Sequence, residues 1–262
     1  MNQELNEHVA QLVNDCLPGN SIDCVILGYE NQQLKILLLQ WKNKDVWSLP
    51  GGFILKDEDI DQAAHRILEE RTGLKSIFLN QFYTFGSRER SQMNGVIQAK
   101  RTQEMLRELE IDNPSFVHWI QGRFITTGYF ALTDIRKTHP QPDFLSEKCE
   151  WKALDDLPEL ILDHGQIIEK ALEHLRIQLN YLPIGLSLLP EKFTMQDIQK
   201  LYEALLQKKL ERSNFQRKML SLGIFIRLEK QLTGAANKAP YLYCFDKVKY
   251  NKLVSKGIGF SY

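Results

Sequence analysis

LPGGFILKDEDIDQAAHRILEERTGL, residues Leu49 to Leu74, decides the fold. Pro50, Gly51 and Gly52 mark a turn. Asp57, Glu58 and Asp59 place negative charge where the positive end of a helix dipole begins. Ile60, Ala63, Ala64, Ile67 and Leu68 recur at helical spacing, and Gly73 supplies a C-terminal stop. The spacing predicts a helix over about Asp59 to Thr72 with its apolar stripe turned to a core. Positions 67, 70 and 71 are related as i, i+3 and i+4, so Ile67, Glu70 and Arg71 share one helix face.

Outward from this helix the pattern is one of strands with helices between them. Ser21 to Gly28 and Leu34 to Trp41 are β-rich runs joined by Glu30-Asn31-Gln32-Gln33 and read as a hairpin. Asp45 to Leu49 is a further extended piece, ended by the Pro50-Gly51-Gly52 turn. Ile77 to Phe85, Phe124 to Leu132 and Glu150 to Leu154 read as strands. His164 to Leu179 reads as a helix with Ile167, Ile168, Ala171, Leu172 and Leu175 on one face. Ser87 to Gly122 is polar and irregular, with a helix expected near Ile97 to Leu109 whose buried edge is Met105, Leu106 and Leu109. Such an order argues for an α+β first domain.

The stretch from Leu49 to Leu74 resembles a Nudix box, G-x5-E-x7-R-E-U-x-E-E-x-G-U with U apolar. Gly52, Glu58, Arg66, Leu68, Glu70, Gly73 and Leu74 match it, and the lead-in Trp47-Ser48-Leu49-Pro50-Gly51-Gly52-Phe53 is typical of the family. The resemblance implies a Nudix fold, a mixed sheet between helices, over about Ser21 to Leu179. Two positions depart: Ile67 and Arg71 stand where the family carries Glu. Mg²⁺ prefers hard oxygen ligands in near-octahedral geometry. This face instead offers one carboxylate, Glu70, beside a guanidinium that does not deprotonate. A cation about 4 Å from that charge meets repulsion of several kcal/mol at intermediate dielectric. Glu69 points about 100° round the helix and does not restore the site. Ile67 can simply extend the apolar stripe. Arg71 can pair with Glu70 or Glu69, or it can hold a ligand's phosphate or hydroxyls without metal. No metal, cofactor or catalytic residue is assigned. Arg66, Glu70, Arg71, Glu58 and Phe53 are the expected contacts of a small-molecule effector. His65, His139 and His164 lack partners at metal-ligand spacing and read as structural.

The net charge of the 262-residue chain is zero, but the charge is divided. From Pro183 to Tyr262 there are 14 Lys and Arg against 6 Asp and Glu, so this part carries +8 and the remainder −8. Tyr181 to Pro190 contains two prolines and marks the boundary, giving expected domains at 1–180 and 181–262. Thr194 and Asp197 form a capping-box start, followed by Ile198, Leu201, Tyr202, Leu205 and Leu206 at helical spacing. A break at Lys208-Lys209-Leu210 leads to a second helix, about Glu211 to Leu222. Ile224 to Leu228 and Tyr241 to Phe245 read as strands around a polar loop. Helix, tight turn, helix and hairpin make a winged helix-turn-helix pattern. On a helical wheel Phe215, Met219 and Leu222 point inward. Ser213, Gln216 and Arg217 point outward, flanked by Arg212, Asn214 and Lys218. Arg suits guanine and Gln or Asn suits adenine. Lys208, Lys209 and the loop residue Lys238 are placed for phosphates.

Taken together the chain resembles the Nudix-related transcriptional regulators of bacteria. Matching residues include Tyr83-Thr84-Phe85-Gly86, Trp151, Leu154 to Pro158, Asp163-His164, Pro183-Ile184-Gly185, Leu189 to Thr194, Leu201-Tyr202-Glu203, and Asn214-Phe215 with Arg217-Lys218. The resemblance implies a homodimeric regulator, a repressor, in which a Nudix domain senses an effector and winged helices bind a roughly palindromic operator. A sugar, as in carbohydrate metabolism, stands slightly ahead of ADP-ribose as the effector. The alternative is a residual pyrophosphohydrolase acting on a nucleoside diphosphate derivative. The stretch 87–122 looks longer than usual for the family. The four cysteines are scattered, with no C-x-x-C pair, and read as reduced thiols. No apolar run approaches the ~20 residues of a membrane span, and the N-terminus lacks the pattern of a secretory signal. A cytoplasmic protein without a membrane partner is expected.

Overall fold

The computed structural model describes residues 3–75, 79–90, 95–179, 188–231 and 239–256. The chain opens with α1 (Gln3–Asp15), then β1 (Cys16–Glu30), β2 (Gln33–Trp41), β3 (Trp47–Ser48), β4 (Gly51–Leu55) and α2 (Ile60–Thr72). Next come β5 (Leu79–Phe85), α3 (Gly95–Glu108), α4 (Pro114–Ile120), β6 (Ile125–Thr133), β7 (Ser146–Ala153) and α5 (His164–Gln178). The described residues build a seven-stranded sheet with the path β3-β2-β1-β6-β5, in which β4 pairs with β1 and β7 with β2. The β1–β2 turn holds Asn31 and Gln32 at positive φ, the two-residue geometry that matches strand twist. Antiparallel pairs and a parallel bridge between Trp47 and Leu160 make the sheet mixed.

Every residue from Ile22 to Gly28 is buried, so both faces of β1 are covered. One face packs on α2: Ile22, Cys24, Ile26 and Leu37 meet Ala63, Ala64, Ile67 and Leu68. Burying Ile67 and Leu68 this completely contributes about 2 kcal/mol each. Gly51 and Gly52 begin a strand rather than merely turning the chain, a correction with a steric reason. A Cβ on Gly51 would lie 2.7 Å from the Ile22 carbonyl oxygen, and one on Gly52 would lie 2.9 Å from Ile67 Cδ1. Glycine lets β4 approach β1 and the box helix at once.

Two helical pieces were not foreseen. The polar stretch before Gly122 folds into both α3 and α4, not one helix in an irregular loop. Asn113 caps α4, accepting from the Phe116 amide, and Pro114 occupies the first turn. The N-terminal α1 packs with them. Val9, Met105, Leu106, Ile111 and Phe116 form a second core, with Leu5, Leu12, Trp119 and Phe144 at its edge.

The C-terminal part contains β8 (Phe193–Thr194), α6 (Met195–Leu206), α7 (Arg212–Ser221), β9 (Phe225–Lys230), β10 (Tyr241–Phe245) and α8 (Lys247–Lys256). The expected capping box is present: Thr194 Oγ1 accepts from the Asp197 amide, and Asp197 Oδ2 accepts from the Thr194 amide. The three strands order as β8-β10-β9, around a ring core of Phe193, Phe225 and Phe245. β8 and α8 extend the pattern read from sequence. By contacts the chain divides into two compact units. One comprises Met1–Leu27, Lys35–Ala131 and Lys137–Ala171, and the other Gly28–Leu34, Leu132–Arg136 and Leu172–Tyr262. Among the described residues no helix is long and apolar enough to cross a membrane.

Candidate functional site

The start of α2 is stapled to β4 by charge. Asp59 is its N-cap, in a reciprocal pair with Gln62, and Gly73 ends it in the left-handed conformation. Arg66 Nε and Nη2 donate to the two oxygens of Glu58 at 3.0 and 2.6 Å, and Nη2 also donates to the Phe53 carbonyl at 2.9 Å. The Leu55 amide donates to Glu58 Oε1 at 2.8 Å. Burial pushes the Glu58 carboxyl up, but the Arg66 and Leu55 bonds outweigh it and hold it below its usual range. Both Glu58 oxygens are thus committed to loop closure.

Beyond Arg66 the exposed edge of α2 opens on a cavity of about 390 Å³ within the first compact unit. Of the five expected effector residues, Phe53, Arg66, Glu70 and Arg71 line this cavity. Glu58 does not; its part is to hold Arg66. Ile67 lines it too, filling the space beside Gly52. Arg71 is the least satisfied of these groups. Its Nη2 lies 3.4 Å from Glu70 Oε2, and its buried Nε–H has no hydrogen-bond partner. Burying part of a guanidinium without a partner is costly. That Nε–H is closed off from the cavity, so an anionic ligand there would bond the outer guanidinium nitrogens of the 14%-exposed side chain, and guanidinium–phosphate bonds are among the stronger ones. Among the described residues no group of three or more His, Cys, Asp and Glu could hold a metal ion.

The rest of the wall comes from outside the box. Leu12 of α1, Met105 and Leu106 of α3, Ile120 at the end of α4, Phe124 and Phe144 supply apolar surface. Residues of α3 and of the end of α4, within the long stretch before Gly122, therefore wall the cavity. Trp119 meets the lining rings of Phe53 and Phe124 edge-on, and those two are tilted to one another, with centroids 4.3 to 5.6 Å apart.

A second polar cluster escaped the sequence reading. Arg90 is 4% exposed and lies between two carboxylates: Nη2 donates to Asp23 Oδ2 at 2.9 Å and Nε to Asp163 Oδ2 at 2.8 Å. His164, read from sequence as structural, is buried at the head of α5 and lines the cavity with Asp23, Ser48 and Arg90. Burial lowers its pKa, so the ring is neutral at pH 7. The adjacent pair Asp163-His164 is legible in the sequence, but nothing local joins it to Asp23 or Arg90.

In the C-terminal part, α7 presents Arg212, Ser213, Asn214, Arg217 and Lys218 to solvent, while Phe215 and Met219 are buried. Gln216 and Leu222 are half-buried. Glu211 caps the helix, accepting from the Ser213 and Asn214 amides. Arg217 Nη2 donates to Asn214 Oδ1 at 2.9 Å. Lys208 and Lys209 are exposed just before α7, with Lys209 Nζ 3.6 Å from Glu203. Lys238 lies outside the described residues. On β9, Arg227 lies flat over the Tyr241 ring at 3.3 Å from its centroid, and Lys230 stands 5.3 Å from the same ring.

A mixed sheet packed on a box-bearing helix, followed by a three-stranded winged helix, defines a Nudix domain joined to a winged-helix module. Residues 18–175 match the family described as NUDIX domain. Residues 185–245 match the NrtR DNA-binding winged helix domain. The ADPR responsive transcriptional repressor NtrR of Acinetobacter baylyi is 30% identical over 241 residues, 89% of this chain and 84% of that protein. The structure of Shewanella oneidensis NrtR complexed with a 27mer DNA is 28% identical, covers 88% of this chain and 95% of that one, and superposes with a TM-score of 0.65. An RNA pyrophosphohydrolase of Erythrobacter litoralis is 30% identical over 130 residues, 50% of this chain and 73% of that enzyme. The chain belongs to the NrtR family of Nudix-related transcriptional regulators.

Proposed function

We propose that this chain is a transcriptional repressor that binds operator DNA through α7 and responds to ADP-ribose or a close relative bound in the Nudix cavity. Residues 1–180 sense the effector and 181–262 bind DNA, in a cytoplasmic homodimer. The observation that carries the reading is Arg71, a guanidinium held by one long contact to Glu70 and lacking an acceptor at Nε, on a wall where Nudix hydrolases place a metal-binding carboxylate. It suits a diphosphate held without metal. Phe53, Arg66, Glu70 and Arg71 contact the effector, with Glu58 fixing Arg66. Exposed Lys208, Lys209, Arg212, Ser213, Asn214, Arg217 and Lys218 face DNA, joined by Gln216 and Lys238. The Acinetobacter relative moves ADP-ribose ahead of a free sugar as the effector.

The test selects DNA from a random pool with the full-length protein and measures its release. Saturating ADP-ribose should weaken binding to the selected fragment, and Arg71→Ala should abolish the response while leaving DNA binding intact. DNA binding indifferent to ADP-ribose in the unmodified protein would sink the effector assignment.

The rival is a pyrophosphohydrolase, favoured by the retained Glu58–Arg66 staple, by Glu70 and by the Erythrobacter relative. The side chains at the box do not fit a Mg²⁺ cluster. Ile67 fills one carboxylate position, Arg71 another, and the Glu58 oxygens are committed. Mg²⁺-dependent turnover of ADP-ribose that vanishes in Glu70→Gln would establish the rival instead.

A further inference from the structure

The cavity wall divides by chemistry into three parts. The arginines of α2 make a cationic part, and the side chains from α1, α3 and α4 an apolar one. The third part is Asp23, Ser48 and His164, each less than a tenth exposed, with Arg90 beside them, its charge taken up by Asp23 and Asp163.

The proton on His164 can be located by elimination. The Leu49 amide donates to Nδ1 at 2.8 Å, and an amide N–H cannot accept. Nδ1 is therefore the bare nitrogen, and a neutral ring carries its proton on Nε2. Asp23 Oδ1 faces Nε2 at 3.7 Å, too far for a hydrogen bond. Asp23 cannot close that gap, because Arg90 holds its other oxygen at 2.9 Å and is itself tied to Asp163. A donor and an acceptor thus stand fixed on a cavity wall, 3.7 Å apart, without satisfying one another. Ser48 lines the same cavity, and among the described residues its hydroxyl also makes no hydrogen bond to protein. A hydroxyl, on a sugar or on the water that a sugar would displace, can both accept from Nε2–H and donate to Asp23. A phosphate is unsuited, since it offers only acceptors and would face the Asp23 carboxylate.

We propose that Asp23, Ser48 and His164 form a second subsite of the cavity that binds hydroxyls of the effector's terminal sugar. The proposal rests on the effector reading above and adds a division of labour to it. The apolar part takes the nucleobase, the arginines take the diphosphate, and this third part takes the sugar beyond it. ADP fills the first two parts and leaves the third empty.

Calorimetric titration of the full-length protein with ADP-ribose and with ADP tests it. The unmodified protein should bind ADP-ribose about tenfold or more tightly than ADP, since a buried donor left unpaired costs about that factor. His164→Asn keeps an acceptor for the Leu49 amide and deletes only the reach of Nε2. It should lose about tenfold for ADP-ribose and little for ADP. Ser48→Ala, which removes no bond within the protein, should show the same selective loss at about threefold, and serves if His164→Asn unfolds. Equal losses for both ligands, or none for ADP-ribose, would overturn the subsite. If the unmodified protein binds neither ligand, the effector reading fails first and the subsite with it.

Discussion

α2 and α7 both carry arginines argued to meet phosphates, yet they hold them in opposite ways. On α2, Arg66 is clamped by four acceptor oxygens, from Glu58, Phe53 and Glu70, and Arg71 is largely enclosed, in a helix whose other face is core. On α7, Arg217 and its neighbours stand in solvent and touch each other more than the fold. Enclosed charges act through geometry, so removing one partner strands another and the cost is several kcal/mol. Exposed charges act through long-range attraction and counterion release, so they are additive, individually modest and sensitive to salt. One chain therefore holds a site that ought to be specific and nearly salt-independent, and another whose affinity ought to fall steeply with ionic strength.

The hardest blow to that contrast is Arg90→Ala. It leaves Asp23 and Asp163 buried without their shared cation. Urea denaturation should show a loss of about 4 kcal/mol, with the effector site lost along with stability. A loss under about 1 kcal/mol would mean that the cluster is solvated and the enclosed side of the comparison is wrong. Next is Arg71→Ala. No protein acceptor depends fully on this side chain, so stability should barely move while ADP-ribose affinity falls about thirtyfold, near 2 kcal/mol. That loss should be nearly the same at 50 and 300 mM salt; a strong salt dependence would put Arg71 in the open class with α7. Arg217→Ala should then cost about 1.5 kcal/mol on a selected operator and relax its sequence preference. Lys209→Ala should weaken every sequence about equally and lower the salt slope by about one. Gel-shift titrations over a salt series separate the two.

Regions also differ in how far their sequence discloses them. The box helix, its Gly73 stop, the Thr194–Asp197 cap and the inward Phe215 and Met219 follow from local spacing, which is what a sequence displays. β4 was hidden because Pro50-Gly51-Gly52 reads as a turn, and only the close approach to Ile22 and Ile67 explains the glycines. α4 had a legible start in Asn113-Pro114, and α1 a stripe of Leu5, Val9 and Leu12; both pack chiefly on one another and on α3, so neither belongs to the sheet pattern. The Asp23, Arg90, Asp163 cluster was beyond reach for a different reason. Its members are 67 and 73 residues apart in sequence, and nothing but folding brings them together.

The smallest effect sharpens the enclosed side of the comparison through pH. His164 is held neutral chiefly by burial, with Arg90 adding to the depression and Asp23 and Asp163 opposing it. In the unfolded chain the ring titrates near 6.5. Below that value the unfolded state takes up a proton that the folded state refuses, so its share of stability is complete above pH 6.5 and is lost as pH falls toward the depressed folded value. Between pH 7 and 6 the loss from this group should reach at most about 0.7 kcal/mol, the limit for a ring that takes up no proton in the fold. A proton on Nδ1 would also confront the Leu49 amide, donor against donor, which is why the ring resists it. His164→Asn removes the titration but keeps the acceptor, so the difference in urea midpoint between variant and parent should shrink from pH 7 to pH 6. A difference that stays constant would mean the ring titrates alike in the folded and unfolded chains, and one that widens would mean it is already charged in the fold, so that the Nε2–H donor would no longer be set by the Leu49 amide.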